Sequence, residues 1–260
     1  MPPPDSASTL PGSRWLVRRA EGMPAFRLFC FHHAGGNASA FEGWQHALPG
    51  VEVCALQLPG RGMRFNEAPL RELAEAARAL AGPVTQAAPA LPFAFFGHSM
   101  GALLAFELAR FLAREGLPQP VRLIASGCEA PRLRSRTRRL HRLDDAELIA
   151  SLRRFGGAPE ELLGNRELME LLLPTIRADF ELAETYGYVE APRLGMPIDV
   201  LAGRGDTHVA AGNLAGWQEE SCAGGATHWF DGGHFFITSA RREVTAAVAE
   251  LLRPNLPCAA

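Results

Sequence analysis

A serine flanked by glycines, in the run Gly97-His98-Ser99-Met100-Gly101, constrains the fold of this chain more than any other feature. Residues 93–96 before it are apolar and indicate a buried strand, whereas residues 102–113 after it contain no glycine or proline and indicate a helix. A G-x-S-x-G pattern between a strand and a helix is typical of a nucleophile elbow, a sharp turn that exposes the serine hydroxyl above a sheet. The glycines let the strand and the helix approach closely, because a side chain at either position would collide with neighbouring backbone.

Two partners of the serine are expected further along the chain if the elbow belongs to an α/β-hydrolase fold, in which an acid and then a histidine follow. Residues 197–202 indicate a buried strand, and Asp206 lies in the loop that leaves it. Residues 227–230 indicate another strand, and His234 follows it closely. We therefore predict Ser99 as nucleophile, Asp206 as acid and His234 as base.

Other acidic residues compete with Asp206 for the role of the acid. Asp199 lies inside its predicted strand and Asp231 lies three residues before the histidine, so both are expected to form local hydrogen bonds. Glu129 is the stronger rival, because it follows a strand predicted over residues 121–126, another strand end from which such folds can present the acid. The sequence favours Asp206 and leaves Glu129 as the alternative.

The chemistry also requires N–H donors for an oxyanion. Residues 26–31 indicate a short apolar strand that runs into the glycine-rich loop 32–37. In this fold one donor is the N–H of the residue after the nucleophile, here Met100, and the other comes from the loop after an early strand, where we choose Ala34. The same loop could instead hold a phosphate, but it lacks the lysine of a Walker motif and the third glycine of a dinucleotide fingerprint.

Metal and cofactor chemistry is not indicated. His32, His33 and His98 lack the spacing of metal ligands and no cysteine pair assists them, so we expect polar contacts near the rim of the site. All 26 basic residues are arginines, which excludes a lysine Schiff base with pyridoxal phosphate. We expect no metal and no cofactor.

Five stretches, which together span nearly the whole chain, resemble the type II thioesterases that accompany polyketide synthases and nonribosomal peptide synthetases. They are residues 30–36, 57–61, 96–101, 173–180 and 232–236. Their common order is more specific than the elbow, which lipases and esterases share. The resemblance implies an α/β-hydrolase core, a helical lid, and hydrolysis of acyl groups from the phosphopantetheine arms of carrier proteins.

The resemblance also implies the same site residues, namely Ser99, Asp206 and His234 as the triad, with Ala34 and Met100 as oxyanion donors. Acyl or peptidyl carrier proteins are the partners it implies, and editing of stalled or misprimed synthases is the activity. A carboxylesterase or lipase-like hydrolase and a product-releasing thioesterase are the alternatives. A catalytically silent binding module of the same fold is disfavoured, because all three candidate side chains are present in the expected order.

Length and composition fit this assignment. At 260 residues and 47% hydrophobic, residues 1–260 can form a single domain, with a mobile N-terminus over residues 1–12. A net charge of −2 argues against nucleic acid as a partner, and no apolar run reaches membrane-spanning length. Without a secretory leader, and with five scattered cysteines that suit reduced thiols, we expect a cytoplasmic monomer.

The organisation changes after the alternating strands and helices of residues 26–127, which indicate a mostly parallel central sheet flanked by helices. Residues 131–190 are predicted to insert a helical lid, with helices that start near residue 144 and others over residues 160–163 and 166–173. The apolar positions of this segment could line an acyl channel or pack the lid onto the core: Leu148, Leu152, Phe155, Leu162, Leu168, Leu172 and Phe180. One further helix, carrying Leu214 and Trp217, is predicted between the acid and the base.

Six arginines precede the lid helices within eleven positions: Arg132, Arg134, Arg136, Arg138, Arg139 and Arg142. Such a strip could attract an acidic carrier protein or bind its phosphate. A solvated basic loop is an equally good interpretation.

Overall fold

A seven-stranded sheet forms the centre of the structure, a computed structural model that describes residues 14–19, 23–88, 91–134 and 139–256. The strands are β1 (Leu16–Arg19), β2 (Phe26–Phe31), β3 (Val51–Leu56), β4 (Phe93–His98), β5 (Leu123–Ser126), β6 (Ile198–Gly203) and β7 (Thr227–Phe230). Their order is β1-β3-β2-β4-β5-β6-β7, and every neighbouring pair is parallel except β1 with β3. The mostly parallel sheet is confirmed, whereas the antiparallel edge strand β1 was not predicted. The predicted mobile segment 1–12 lies outside the described residues.

Helices cover both faces of the sheet. They are α1 (Trp44–Ala47), α2 (Leu73–Ala87), α3 (Met100–Arg114), α4 (Asp145–Phe155), α5 (Glu160–Leu163), α6 (Arg166–Glu184), α7 (Phe236–Ser239) and α8 (Arg241–Leu252). Successive side chains of β4 point to opposite faces, so Phe93 and Phe95 pack with α2 and α3, whereas Ala94 and Phe96 pack with α1 and α8. Within the described ranges, none of these helices is both long and apolar enough to cross a membrane.

Three helices, α4 to α6, are inserted between β5 and β6. Asp144 caps α4 by accepting the N–H of Glu147, and Asn165 caps α6 by accepting the N–H of Leu168. The inserted helices share a small apolar cluster of their own around the buried Leu148. The helix predicted to end at residue 173 instead continues through Pro174 to Glu184, because tertiary packing of its buried face outweighs the loss of one backbone hydrogen bond.

The predicted helix between the acid and the base is wrong. The segment contains two short 3₁₀ helices, Ala211–Asn213 and Ala215–Glu220. Trp217 anchors this segment, since its ring is fully buried and its Nε1–H donates to the Cys128 carbonyl at 2.9 Å. The backbone at Gly216 lies so close to the Ala130 and Leu133 side chains that a Cβ there would approach them to 2.9 and 2.7 Å.

The elbow brings three backbone segments together. A Cβ placed at Gly97 would lie 2.2 Å from the Gly101 carbonyl oxygen, and one placed at Gly101 would lie 2.1 Å from the Phe31 carbonyl oxygen. Ser99 adopts φ 56° and ψ −117°, and it is the one non-glycine residue with positive φ among those described. Such backbone strain costs about 1–3 kcal/mol and persists only where the surroundings enforce it.

We predict that Gly101→Ala lowers the free energy of unfolding by more than about 3 kcal/mol, because the added methyl group must displace the β2 backbone. Gly212→Ala is the matched control. Gly212 is exposed, is not followed by proline and has nothing within 4 Å of an added Cβ, so this change should alter stability by less than about 1 kcal/mol. The urea concentration at the unfolding midpoint is measured for the two variants and for the native protein. Equal midpoints for Gly101→Ala and the native protein would contradict the prediction.

Candidate active site

Ser99, His234 and Asp206 form one hydrogen-bonded series at the carboxyl edge of the sheet. The His234 Nε2 atom lies 3.0 Å from Ser99 Oγ, and its Nδ1 atom lies 2.8 Å from Asp206 Oδ2. The carboxylate can only accept a hydrogen bond, so Nδ1 carries the ring proton and Nε2 is left to accept the serine hydroxyl proton. The imidazole and the carboxylate are buried at 4% and 3% exposure, while Ser99 is partly open to the solvent side.

The loops after β6 and β7 place the acid beside the base. These strands are parallel neighbours, and their pairing continues beyond the sheet through the Arg204 N–H to the Phe230 carbonyl at 2.9 Å and the Gly205 N–H to the Gly232 carbonyl at 2.8 Å. Gly203 allows this approach, since a Cβ there would lie 2.6 Å from the Gly233 carbonyl oxygen. Asp206 and His234, 28 residues apart in sequence, therefore leave the sheet side by side.

Asp206 is held as an anion. Burial opposes ionisation of its carboxyl, but the hydrogen bond from His234 and the backbone N–H of His208 outweigh it and lower the pKa of Asp206 below its usual value. The His208 N–H donates to Asp206 Oδ1 at 2.8 Å, so both carboxylate oxygens have partners. Ionised and fixed at two points, this side chain can orient the imidazole and stabilise its protonated form.

The rival acids have other partners. Glu129 accepts the Ala210 N–H at 2.9 Å and contacts the Asn213 amide at 3.3 Å, so it supports the loop that carries Asp206. Asp199 forms an ion pair with Arg122 and accepts the Ala226 N–H, as its predicted local role requires. Asp231 is exposed and lies 3.6 Å from Arg204. None of the three is paired with the imidazole of His234.

The two expected oxyanion donors lie on either side of Ser99. Met100 is the first residue of α3, where backbone N–H groups and the helix dipole favour negative charge. Ala34 lies in a turn closed by the Gly36 N–H, which donates to the His33 carbonyl at 3.0 Å. Ala34, Ser99, Met100 and His234 line one cavity, so the two residues predicted to supply the donors lie at the same site as the serine and the histidine.

Of the three histidines considered as ligands, His32 and His98 are buried beneath the site, whereas His33 is partly buried and lines the cavity at Ser99. His98 is fully buried and its Nδ1 lies 2.9 Å from Ser126 Oγ, while His32 is buried and its Nδ1 donates to the His33 carbonyl at 2.8 Å. Burial and neighbouring positive charge lower the pKa of all three, that of His33 to about 4, so they are neutral at physiological pH. Among the described residues, no group of three or more His, Cys, Asp or Glu is arranged to hold a metal.

Two cavities meet at Ser99, and the inserted helices cover both. The apolar cavity, of about 100 Å³, is lined by His33, Ala34, Gly35, Ser99, Leu152, Phe155, Gly157, Ala158, Leu162, Leu163, Met169, Leu172, Ile176, Phe180, His234 and Phe235. Five of the seven apolar positions singled out from the sequence line it. Leu148 instead packs inside the insertion, and Leu168 is exposed.

The polar cavity, of about 110 Å³, lies on the other side of Ser99 and includes Glu129, Arg134, Glu184 and His208 in its lining. Phe155 and Phe180 line both cavities and separate them. The His208 ring stacks on Phe155 with centroids 3.8 Å apart. Sequence reasoning gave no role to His208, because no local pattern predicts a contact between a loop and the end of a helix more than fifty residues away.

The arginine strip is partly committed to contacts within the chain. Arg132 forms an ion pair with Glu219, and Arg134 donates to the Ala183 carbonyl at 2.8 Å. Arg136 and Arg138 lie outside the described residues. Two of the six positions are thus used to attach this segment to its neighbours, which favours the structural interpretation for them.

We predict that acid weakens the fold through the buried histidines. Burial lowers the pKa of His98 well below 6.5. As the pH falls below 6.5, the unfolded chain therefore takes up a proton at His98 while the folded protein does not. The free energy of unfolding then decreases, by up to about 1.4 kcal/mol per pH unit for one group. His98→Asn keeps a donor toward Ser126 Oγ but cannot titrate. The melting temperature, measured between pH 7 and 5, should decrease less with falling pH in this variant than in the native protein. Parallel curves of melting temperature against pH would contradict the prediction.

Comparison with known proteins identifies the family to which the chain belongs. The thioesterase domain model matches residues 26–255. Linear gramicidin dehydrogenase LgrE of Brevibacillus parabrevis is 38% identical over 251 residues, 94% of this chain and 94% of the relative. Among solved structures, the type II thioesterase BorB from the borrelidin biosynthetic cluster is similar with a TM-score of 0.84 and 37% identity, over 93% of this chain and 99% of that chain. YbtT, a type II thioesterase from the yersiniabactin NRPS/PKS pathway, gives a TM-score of 0.81 and 35% identity, over 91% and 96%.

These similarities cover nearly the full length of each protein. The fold is that of the α/β-hydrolases, as the resemblance implied. The chain belongs to the thioesterase family, and type II thioesterases of polyketide and nonribosomal peptide pathways are among its relatives.

Proposed function

We propose that this protein hydrolyses acyl thioesters on the phosphopantetheine arms of carrier proteins, and so removes acyl groups from stalled or misprimed polyketide or nonribosomal peptide synthases. One observation carries the proposal: the series Asp206–His234–Ser99 has hydrogen-bond geometry at the elbow of a chain in the thioesterase family. Its similarity to BorB and YbtT supports the choice of substrate. The cytoplasm, where such synthases act, is the proposed location.

The reaction follows from the positions of the three side chains. His234 Nε2 accepts the proton of Ser99 Oγ as that oxygen attacks the thioester carbonyl, while Asp206 fixes the tautomer and stabilises the imidazolium. The imidazolium then protonates the departing thiolate, and an acyl-serine remains. Water, activated by the same imidazole, releases the acid and restores Ser99.

Negative charge develops on the carbonyl oxygen as Ser99 attacks, and two N–H donors are needed to stabilise it. The Met100 N–H at the start of α3 and the Ala34 N–H in the turn are assigned to this role. Both belong to backbone that the fold holds in place before the substrate arrives, so no reorganisation accompanies the development of charge.

The two cavities define the orientation in which the thioester binds. We assign the apolar cavity to the acyl group and the polar cavity to the amide-rich phosphopantetheine arm, since each lining matches that part of the substrate. Residues 131–190 then act as a lid, and the chain works as a single domain. The lid helices supply most of the apolar wall, which makes them the determinant of acyl preference.

Three other functions share parts of this site. An esterase or lipase-like hydrolase would use the same triad, and a product-releasing thioesterase would use the same substrate arm. A dehydrogenase, as LgrE is named, would need a dinucleotide. The glycine-rich loop leads here into the four-residue 3₁₀ helix Ala38–Phe41, which offers no long helix N-terminus for a pyrophosphate, so hydrolysis is the better assignment.

The experiment that tests the proposal compares an acyl carrier protein loaded with a short acyl group, the matched acyl-CoA and the matched oxygen ester as substrates. We predict a higher kcat/KM on the carrier than on the other two, and a loss of at least about 10⁴-fold on all three in Ser99→Ala. Equal rates on thioester and ester would identify a general hydrolase. Turnover that survives the substitution would identify a different nucleophile.

We predict that Asp206→Asn lowers kcat by about 10⁴-fold, because an amide at this position can present its own N–H to the imidazole and favour the wrong tautomer. Asp231→Asn is the matched control, since this exposed carboxylate lies beside Arg204, and it should retain kcat within about threefold. Glu129→Gln tests the rival acid: Glu129 lines the polar cavity and supports the loop of Asp206, so we expect a loss that is much smaller than in Asp206→Asn. A larger loss in Glu129→Gln than in Asp206→Asn would reverse the assignment of the acid.

A further inference from the structure

We propose that Arg61 and Asp179 are positioning residues for the reaction: they hold the turn of residues 33–36 in the conformation that presents the Ala34 N–H to the carbonyl oxygen. Through Asp179, which lies on α6, catalysis then depends on the attachment of the helical insertion to the core. This inference rests on the proposed function, because it concerns an oxyanion donor assigned there.

The contacts are buried and specific. Arg61 NH1 and NH2 donate to the two oxygens of Asp179 at 2.6 and 2.7 Å, with side-chain exposures of 6% and 1%. The same Asp179 Oδ2 accepts the backbone N–H of Gly35 at 2.7 Å. Arg61 also donates to the Gly36 carbonyl at 3.1 Å. One ion pair thus binds the turn at two consecutive residues, directly after the oxyanion donor.

The turn has a conformation that needs this support. Gly35 lies at its third position with φ 75°, as in a type II turn. Types I and II differ by a flip of the central peptide, here the one between Ala34 and Gly35. The Asp179 carboxylate accepts the N–H of that very peptide, so the flipped form would lose the hydrogen bond and leave a buried carboxylate oxygen without it.

The charges are matched to the chemistry. A lone carboxylate close to the turn would oppose the negative charge that develops on the carbonyl oxygen. The bidentate guanidinium neutralises it, and it also fixes the carboxylate in the plane that the Gly35 N–H requires. The pair therefore supplies a strong acceptor for the turn without adding net charge to the site.

Other contacts of α6 act in the same direction. Thr175 Oγ1 donates to the Gly60 carbonyl at 2.9 Å, and the Ile176 side chain lies 3.1 Å from the position of a Cβ on Gly35. Three residues of one helix, Thr175, Ile176 and Asp179, therefore contact the loops after β2 and β3 together. Glu181 of the same helix is only partly buried and pairs with Arg71, near the far end of the loop after β3, so this contact does not involve the turn of residues 33–36.

The test uses Asp179→Leu combined with Arg61→Met, which removes both charges and leaves no unpaired ion in the interior. We measure kcat and KM on acyl-CoA, together with affinities for two unreactive analogues. One is a trifluoromethyl ketone, which Ser99 converts to an oxyanion, and the other is the matched thioether, which makes no oxyanion. Glu181→Gln is the control for α6. Arg61→Lys is the conservative variant, which keeps the positive charge beside Asp179 but loses the bidentate hydrogen bonds of the guanidinium.

We expect the double variant to lose about 100-fold in kcat and in ketone affinity, while thioether affinity and KM change less than about threefold. Arg61→Lys should also lose more affinity for the ketone than for the thioether, but by a smaller factor. Glu181→Gln should have the kcat and the ketone affinity of the native protein. Ketone affinity retained in a folded double variant, or equal loss for both analogues, would overturn the proposal. If the double variant does not fold, native ketone affinity in Arg61→Lys would overturn it.

The two proposals fail in different ways. Should the native protein bind the ketone no more tightly than the thioether, Ser99 does not form an oxyanion and the proposed function itself fails. Should native protein show the preference and the variants keep it, only the positioning role of Arg61 and Asp179 is refuted.

Discussion

The lack of a side chain at two positions, Gly97 and Gly101, is the constraint on which the rest of the site depends. Backbone atoms of α3 occupy the space that a Cβ would need at Gly97, and backbone atoms at the end of β2 occupy it at Gly101. This close approach forces Ser99 into its strained conformation and directs its hydroxyl away from the sheet. It also places β2 so near that the loop after this strand lies beside the serine, and a distant donor becomes part of the same site.

The order of the strands explains why residues from five segments converge. After β2 the chain moves outward to β3 and then returns to β4 on the other side of β2, so the crevice between these strands opens at the carboxyl edge of the sheet. Ligands of open α/β sheets bind at such switch points. β5, β6 and β7 follow in spatial order, and their loops bring the acid and the base from one side only. The insertion after β5 closes the site from above.

Sequence reasoning could predict what depends on local patterns. Ser99 and the bounds of β2 and β7 follow from short apolar runs and from glycines next to a serine. It could not predict β1, whose edge position depends on pairing with residues 34 to 40 positions later, or the 3₁₀ segment around Trp217, whose shape is set by packing. The ion pair between Arg61 and Asp179 spans 118 residues, and nothing near either residue specifies the other.

The walls of the apolar cavity differ in how firmly they are held. α6 is fixed by the buried ion pair and by Thr175, whereas the corner between α4 and α5 is built around Gly156 and Gly157. Gly157 lies against the Phe235 ring, with no room for a Cβ, and Phe235 follows the base in sequence. In the proposed function, an acyl chain too long for the cavity would therefore displace this corner more readily than α6, and the displacement would reach His234 through Phe235. The enzyme would discriminate against oversized chains through the rate of the chemical step more than through binding.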